Sequence, residues 1–353
     1  MESTVQYKCP NCGGELRFDP NTQGFACDWC NSLFAYGEIV EDVSEEFSAD
    51  DVQQEYGGKH DYSDETDVYV CSSCGAEIIC DRNTAATFCC YCHNPVSLSG
   101  RLSGEFRPET VIPFKIDREK ALKIFTERFK KKWFVPRDFL SQSQLETMTG
   151  LYVPYWMADC GVQASISGVG KVQMPVVRHG GSAILVKVFS VSREGTMRFD
   201  KVPADASRRI DDELIDAIEP FSYSELTDFS MSYLSGFYAD KYDVNTDELL
   251  PRIKNRLIPA SEQMLRKDIT GYTTVDIKQR SVRILDINWH YALLPVWFMN
   301  YNHRGKTYSY AINGQTGKIS GKYPISPLKT AIGALIAAVI AFLAVYIVGV
   351  SRL

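Results

Sequence analysis

The chain has 353 residues, 45% of them hydrophobic and 23% charged, with a formal charge of −6 at pH 7. That composition excludes a collagen-like or wholly disordered polypeptide and allows two or three domains around one sizeable core. The charge is uneven: residues 38–67 carry 12 acidic and one basic side chain, leaving 37 basic against 32 acidic elsewhere, so the overall balance says little about partners.

Of 11 cysteines, 10 lie before residue 93. No apolar secretory h-region precedes Cys9, so the thiols are expected in a reducing cytosol rather than in disulfides. Cys9-Pro-Asn-Cys12-Gly13-Gly14-Glu15 is followed, after 14 residues, by Cys27-Asp-Trp-Cys30. Cys71-Ser-Ser-Cys74-Gly75-Ala76-Glu77 is followed at the same distance by Cys89-Cys-Tyr-Cys92, so the cysteines repeat at an offset of 62. Glu15/Glu77, Asp19/Asp81, Asn21/Asn83 and Thr22/Thr84 repeat with them, which marks an internal duplication. A C-x-x-C turn points two sulfurs at one metal, and two such knuckles complete a tetrahedral thiolate shell suited to zinc. The expectation is two structural zinc ions per chain. One is held by Cys9, Cys12, Cys27 and Cys30 (residues 1–37), the other by Cys71, Cys74, Cys89 and Cys92 (residues 68–100). Four thiolates leave no open position for catalysis. Cys80, opposite Phe18 in the repeat, reads as a buried apolar side chain, and Cys90 as an exposed knuckle residue. The acidic residues 38–67 read as a flexible linker that lets the ribbons search for a partner, or as a site for a basic partner.

Residues 101–326 alternate between helical and extended periods, giving an α+β domain with mostly antiparallel sheet. Asp117 caps a helix predicted to run to Trp133, with Leu122, Phe125, Phe129 and Trp133 on one face. Short strands are predicted at 151–159, with Cys160 packing at its end, and at 171–177, 184–191 and 196–200. His179 falls in a hairpin turn. A helix is predicted at 205–219, then another at 246–267 kinked or broken by Pro259. Strands return at 273–286, 292–301 and 307–312. Val153-Pro154-Tyr155-Trp156 and Leu294-Pro295-Val296-Trp297 read either as equivalent edge positions of two related subdomains or as two similar strand entries. No nucleophile elbow, phosphate loop, H-E-x-x-H or dinucleotide motif is present, so the expectation is a non-enzyme. His290 and His303 read as surface or packing residues, and Asp211-Asp212-Glu213 as complements to a helix dipole. Residues 115–137 hold nine basic and three acidic side chains, for which lipid, nucleic acid, the acidic linker and plain solvation compete.

Residues 330–350 are 21 residues without a charge, long enough at about 1.5 Å per residue to cross a bilayer core. Lys318, Lys322 and Lys329 before this stretch, against Arg352 after it, place the large N-terminal part in the cytoplasm of a single-pass, tail-anchored protein. Small residues every fourth position, Gly333, Ala337 and Ala341, allow a homo-oligomer through this helix.

The knuckle Cys9-Pro-Asn-Cys-Gly-Gly14, Glu219-Pro220-Phe221, Gly236-Phe237-Tyr238-Ala239-Asp240, Leu294-Pro295-Val296-Trp297, Asn313-Gly314-Gln315-Thr316-Gly317 and the terminal helix together resemble the bacterial membrane proteins described as TFIIB-type double zinc-ribbon proteins, the YdjG-like members among them. The resemblance implies a non-enzymatic membrane adaptor working in envelope stress beside phage-shock protein A-like and SPFH-like proteins. The alternative is a membrane-tethered nucleic-acid-binding protein. It is disfavoured because the first ribbon carries only Lys8 and Arg17 as basic residues, beside an acidic linker.

Overall fold

The computed structural model describes residues 4–40, 66–71, 77–81, 84–89, 94–98, 102, 106–136, 138–178 and 181–350. Most of the acidic linker, with Cys74, Cys90, Cys92, His93 and His179, lies outside these residues. The chain is a mixed α/β protein, mostly sheet.

The N-terminal segment forms β1 (Thr4–Val5), the antiparallel hairpin β2 (Leu16–Asp19) and β3 (Gly24–Cys27), β4 (Leu33–Phe34) and the short α1 (Tyr36–Val40). Strands β2, β3 and β4 make a three-stranded sheet whose Leu16, Phe18 and Phe25 are buried. This ribbon is docked, not free to search. Its apolar side chains belong to one cluster with Val111, Phe114, Tyr233 and Phe237 of the following domain. Phe18 N–H donates to the Ser235 carbonyl at 3.0 Å, the Ser235 hydroxyl donates to the Leu16 carbonyl at 2.6 Å, and Tyr36 stacks on Tyr233 at 4.7 Å. A three-stranded ribbon has one apolar face too small to close on itself, and the domain covers it. Beyond residues 41–65 come β5 (Thr66–Val70), β6 (Glu77–Asp81), β7 (Thr84–Phe88) and β8 (Pro95–Leu98). β5 pairs with β6, while β7 and β8 join the main sheet.

The domain continues as β9 (Thr110–Val111), α2 (Arg118–Lys130), α3 (Gln142–Leu145), β10 (Thr149–Arg178), β11 (Gly181–Asp205), α4 (Asp212–Ile218), β12 (Thr227–Asp228), β13 (Tyr238–Asp240), α5 (Thr246–Lys267), β14 (Thr274–His303), β15 (Lys306–Asn313) and β16 (Ile319–Gly321). Among the described residues, eleven strands form one sheet in the order β1-β8-β7-β13-β10-β14-β15-β16, with β11 on β10, β9 on β14 and β12 on β9. The strand expected at 307–312 is β15, but the other short strands expected from sequence are segments of three very long ones, of 30, 25 and 30 residues for β10, β11 and β14. Polar and glycine residues such as Ser165, Ser167, Gly168 and Gly170 read as interruptions, but a ladder needs only backbone groups and both neighbours pair through them. Cys160 consequently sits within β10, fully buried against the α5 side, and not at a strand end.

Two interlocked halves explain the repeated tetrapeptides. In the first, β9 leads through α2 to the hairpin β10–β11; in the second, β13 leads through α5 to the hairpin β14–β15. Each leading strand pairs in parallel with the other half's long strand: Leu151 and Tyr152 with Tyr238 and Ala239, Ala292 and Leu293 with Thr110 and Val111. Val153 faces Leu294 at the centre. Pro154 and Pro295 stand where one strand partner ends and the next begins, which is where a missing N–H costs no ladder bond. They lie inside the sheet rather than on an edge. Their carbonyls accept from Ala206 (2.9 Å) and Gly314 (2.8 Å). The Trp156 indole donates to Val244, just before α5, at 3.1 Å, and the Trp297 indole donates to Ile116, just before α2, at 2.8 Å.

Helix α2 starts where Asp117 accepts the Lys120 N–H at 2.7 Å and buries Ala121, Phe125 and Phe129. It ends at Lys130, so Trp133 leaves the apolar face and is 64% exposed. The helix expected at 205–219 is confined to α4, because Asp205 and Ala206 are used to finish the β11 ladder. Helix α5 runs unbroken through Pro251 and Pro259. Both prolines are exposed, so water can take the carbonyls they leave unpaired. The last element, α6 (Pro327–Val350), is long and apolar enough to cross a membrane, with a mean hydropathy of 2.0 over residues 327–344, and that stretch is not buried against the rest of the chain.

Candidate metal centre

Each N-terminal knuckle is a tight turn. The residue after its second cysteine donates to the carbonyl of its first, Gly13 to Cys9 at 2.8 Å and Asn31 to Cys27 at 2.9 Å. Gly13 and Asn31 have φ of +71° and +56°, a conformation that glycine adopts freely and asparagine better than most residues. Cys9 N–H then donates to Gly14 (2.6 Å) and Cys27 N–H to Ser32 (3.0 Å), closing the two turns alike. The β2–β3 register sets Leu16 opposite Cys27 and so carries the second knuckle over the first.

The four sulfurs lie within 4.8 Å of one another. Cys9 and Cys30 Sγ are 3.6 Å apart, as are Cys12 and Cys27 Sγ, and all four thiols are free. A tetrahedral shell with Zn–S of about 2.3 Å requires sulfurs about 3.8 Å apart. The donor set therefore fits a divalent, thiophilic metal. Gly14 N–H points at Cys12 Sγ (3.4 Å) and the Ser32 hydroxyl lies 3.1 Å from Cys30 Sγ, contacts that favour thiolate. The Ser32 hydroxyl and N–H bring the Cys30 thiol down to about 6. At Cys12 the Gly14 N–H pulls down, but the Cys30, Cys27 and Cys9 sulfurs and the loss of water outweigh it and push that thiol up to about 12. Without a cation the cluster cannot carry four negative charges. A bound metal would remove that repulsion and cross-link the two knuckles, leaving no position for substrate.

Of the second tetrad, Cys71 and Cys89 are described and fully buried, clustered with Tyr69, Cys80, Val96 and Leu98. Cys80 is thus buried as expected. Cys89 N–H donates to Asn94 at 2.9 Å, the counterpart at offset 62 of the Cys27–Ser32 bond. His290 is half-exposed on β14, 2.7 Å from Glu109 and 3.6 Å from Asp159. His303 lies 3.3 Å from the Tyr301 hydroxyl.

The sequence reading missed a charged cleft. Asp205 is 1% exposed and lines an open cleft of about 550 Å³ with Asp212, Asp216, Glu248 and Arg252. Arg252 reaches Asp205 at 2.5 Å and Asp212 at 3.2 Å, and also pairs with Asp216. Asp211 does cap α4, accepting the Glu213 N–H at 3.0 Å, whereas Asp212 turns to the arginine. Arg252 and Arg256, one turn apart on α5, were the available signal.

The uncharacterized protein YdjG of Bacillus subtilis (strain 168) is 34% identical over 339 residues, a match covering 93% of this chain and 92% of the relative. The chain belongs to the YdjG family. Membership rests on nearly the whole length and so cannot come from the cysteine motif alone. No protein-family profile and no solved structure matches this YdjG-family chain.

Proposed function

We propose that this chain is a non-enzymatic membrane adaptor. Zinc-held ribbons present a surface to a cytosolic protein, and α6 holds the assembly at the membrane with the N-terminal part in the cytoplasm. The observation that supports this reading best is the division of labour. A closed thiolate tetrad sits at one end of the sequence and an unpartnered apolar helix at the other, with a rigid sheet domain between them. Two large apolar side chains stand exposed beside the tetrad, Trp29 at 81% and Leu33 at 61%, and exposed aromatic anchors of this kind are common hot spots of protein interfaces. We assign a second zinc to Cys71, Cys74, Cys89 and Cys92, on the repeat at offset 62. Phage-shock protein A-like and SPFH-like proteins are the partners implied by the resemblance of the sequence.

The test is membrane fractionation of cells carrying Cys12→Ser or Trp29→Ala, followed by identification of proteins that leave the membrane. Both variants are expected to stay membrane-bound and to lose the same cytosolic partner, and Trp29→Ala should keep its zinc. Retention of every wild-type partner by both variants would remove the ribbon as the recruiting surface.

A further inference from the structure

The end of α2 and the start of α6 form one patch. Ser326 N–H donates to the Phe134 carbonyl and the Lys329 ammonium to the Val135 carbonyl, each at 2.7 Å. The Phe134 ring packs at Gly333, where an added Cβ would come within 3.3 Å of it. These bonds fix residues 133–135 within two turns of the point where the apolar helix leaves the domain. Trp133 and Phe134 are 64% and 43% exposed there, next to Ile325 at 60% and Leu328 at 70%. Beside them a small cavity of about 140 Å³ is lined by Arg128, Lys132, Ser320 and Tyr323, among others, and the Lys132 ammonium sits 5.5 Å over the Tyr323 ring. None of Arg128, Lys130, Lys131 and Lys132 pairs with a carboxylate among the described residues.

We propose that this patch is a binding site for the phosphate headgroup of an anionic phospholipid in the leaflet that α6 enters. The proposal rests on α6 spanning the bilayer. A helix that enters the membrane at residue 327 holds everything within two turns of its start at headgroup depth, where tryptophan and lysine concentrate. The exposed Trp133 and Phe134 are out of place in water and in place at that depth. The neighbouring cations then face phosphates, not solvent, and anionic lipid attracts basic side chains held at the surface. The cavity between Arg128 and Lys132 supplies two positive groups and the Ser320 segment around one anion, a geometry that selects a headgroup rather than general surface charge.

The experiment reconstitutes the full chain in phosphatidylcholine vesicles containing a small, varied fraction of brominated lipid. The quenching that belongs to Trp133 is obtained by difference from Trp133→Phe. Brominated phosphatidylglycerol should quench Trp133 half-maximally at a mole fraction at least fivefold lower than brominated phosphatidylcholine. The variant R128Q/K132Q should insert normally but lose that preference. Millimolar inorganic phosphate should leave the preference intact; its loss would assign the site to free phosphate and overturn the lipid proposal. Equal quenching by the two lipids, or a preference that survives R128Q/K132Q, would also overturn it. A chain that fails to float with vesicles after a high-salt wash would instead overturn the anchor itself.

Discussion

Asp205 and Asn313 occupy corresponding places, each the last residue of a hairpin's returning strand and each followed by an N–H bonded to a proline carbonyl. Asn313 is buried with its amide donating to Ile218 at 3.1 Å. Asp205 is buried as an acid: enclosure pushes its carboxyl from 3.8 up to about 6, with Arg252 pulling it back and Asp212 and Asp216 pushing it further. The folded state therefore binds the Asp205 proton more tightly than the unfolded state does. Stability from this group falls as pH rises from about 4 to 6, and a penalty on the order of 3 kcal/mol is complete above that. Asp205→Asn is expected to abolish this slope and to raise stability at pH 7 by ~1–3 kcal/mol, read from unfolding at pH 5 and pH 7. An equal loss at both values would contradict the assignment. The cysteine tetrad was legible in the sequence because ligand spacing is a local property of two turns. Asp205 was not legible, because its burial depends on α5 and β11, which approach only in the folded chain.

At the scale of elements, α2 and α5 appear where their apolar periodicity places them, and the Asp117 cap starts α2. The lengths of β10, β11 and β14 do not follow from alternation, since long stretches of both faces carry Ser, Gln and Gly. The two-residue turn Arg304–Gly305, with φ of +53° and +73°, is the hairpin geometry that Gly favours, and it keeps β14 and β15 in register. Helix α6 is tied to the domain mainly through its first turns, since residues 327–344 are not buried. A chain ending at Lys329 is therefore expected to be soluble and to keep its melting temperature within a few degrees of the full chain. Sedimentation of that shortened chain with membranes in high salt would show that α6 is not the whole anchor.

For the whole molecule, a sequence repeat in the N-terminal region was readable from eight cysteines at one offset of 62. The duplication of the domain left only Val-Pro-Tyr-Trp and Leu-Pro-Val-Trp as a trace. Backbone pairing across a pseudo-two-fold axis constrains hydrogen bonds more than side chains, so the halves could diverge while the tryptophan-to-carbonyl bonds stayed. The same architecture sets the first ribbon against Ser235 and Phe114 rather than on a free tether, so that Trp29 is presented from a fixed position. On the proposed reading that arrangement depends on metal, because a ribbon of this size has little apolar core of its own. The most direct measurement is the metal content of the purified, full-length protein by elemental analysis. The account predicts two zinc equivalents per chain, one lost in Cys12→Ser and the other in Cys74→Ser. Clearly fewer than two zinc equivalents in the wild type, or iron or disulfides in their place, would contradict it.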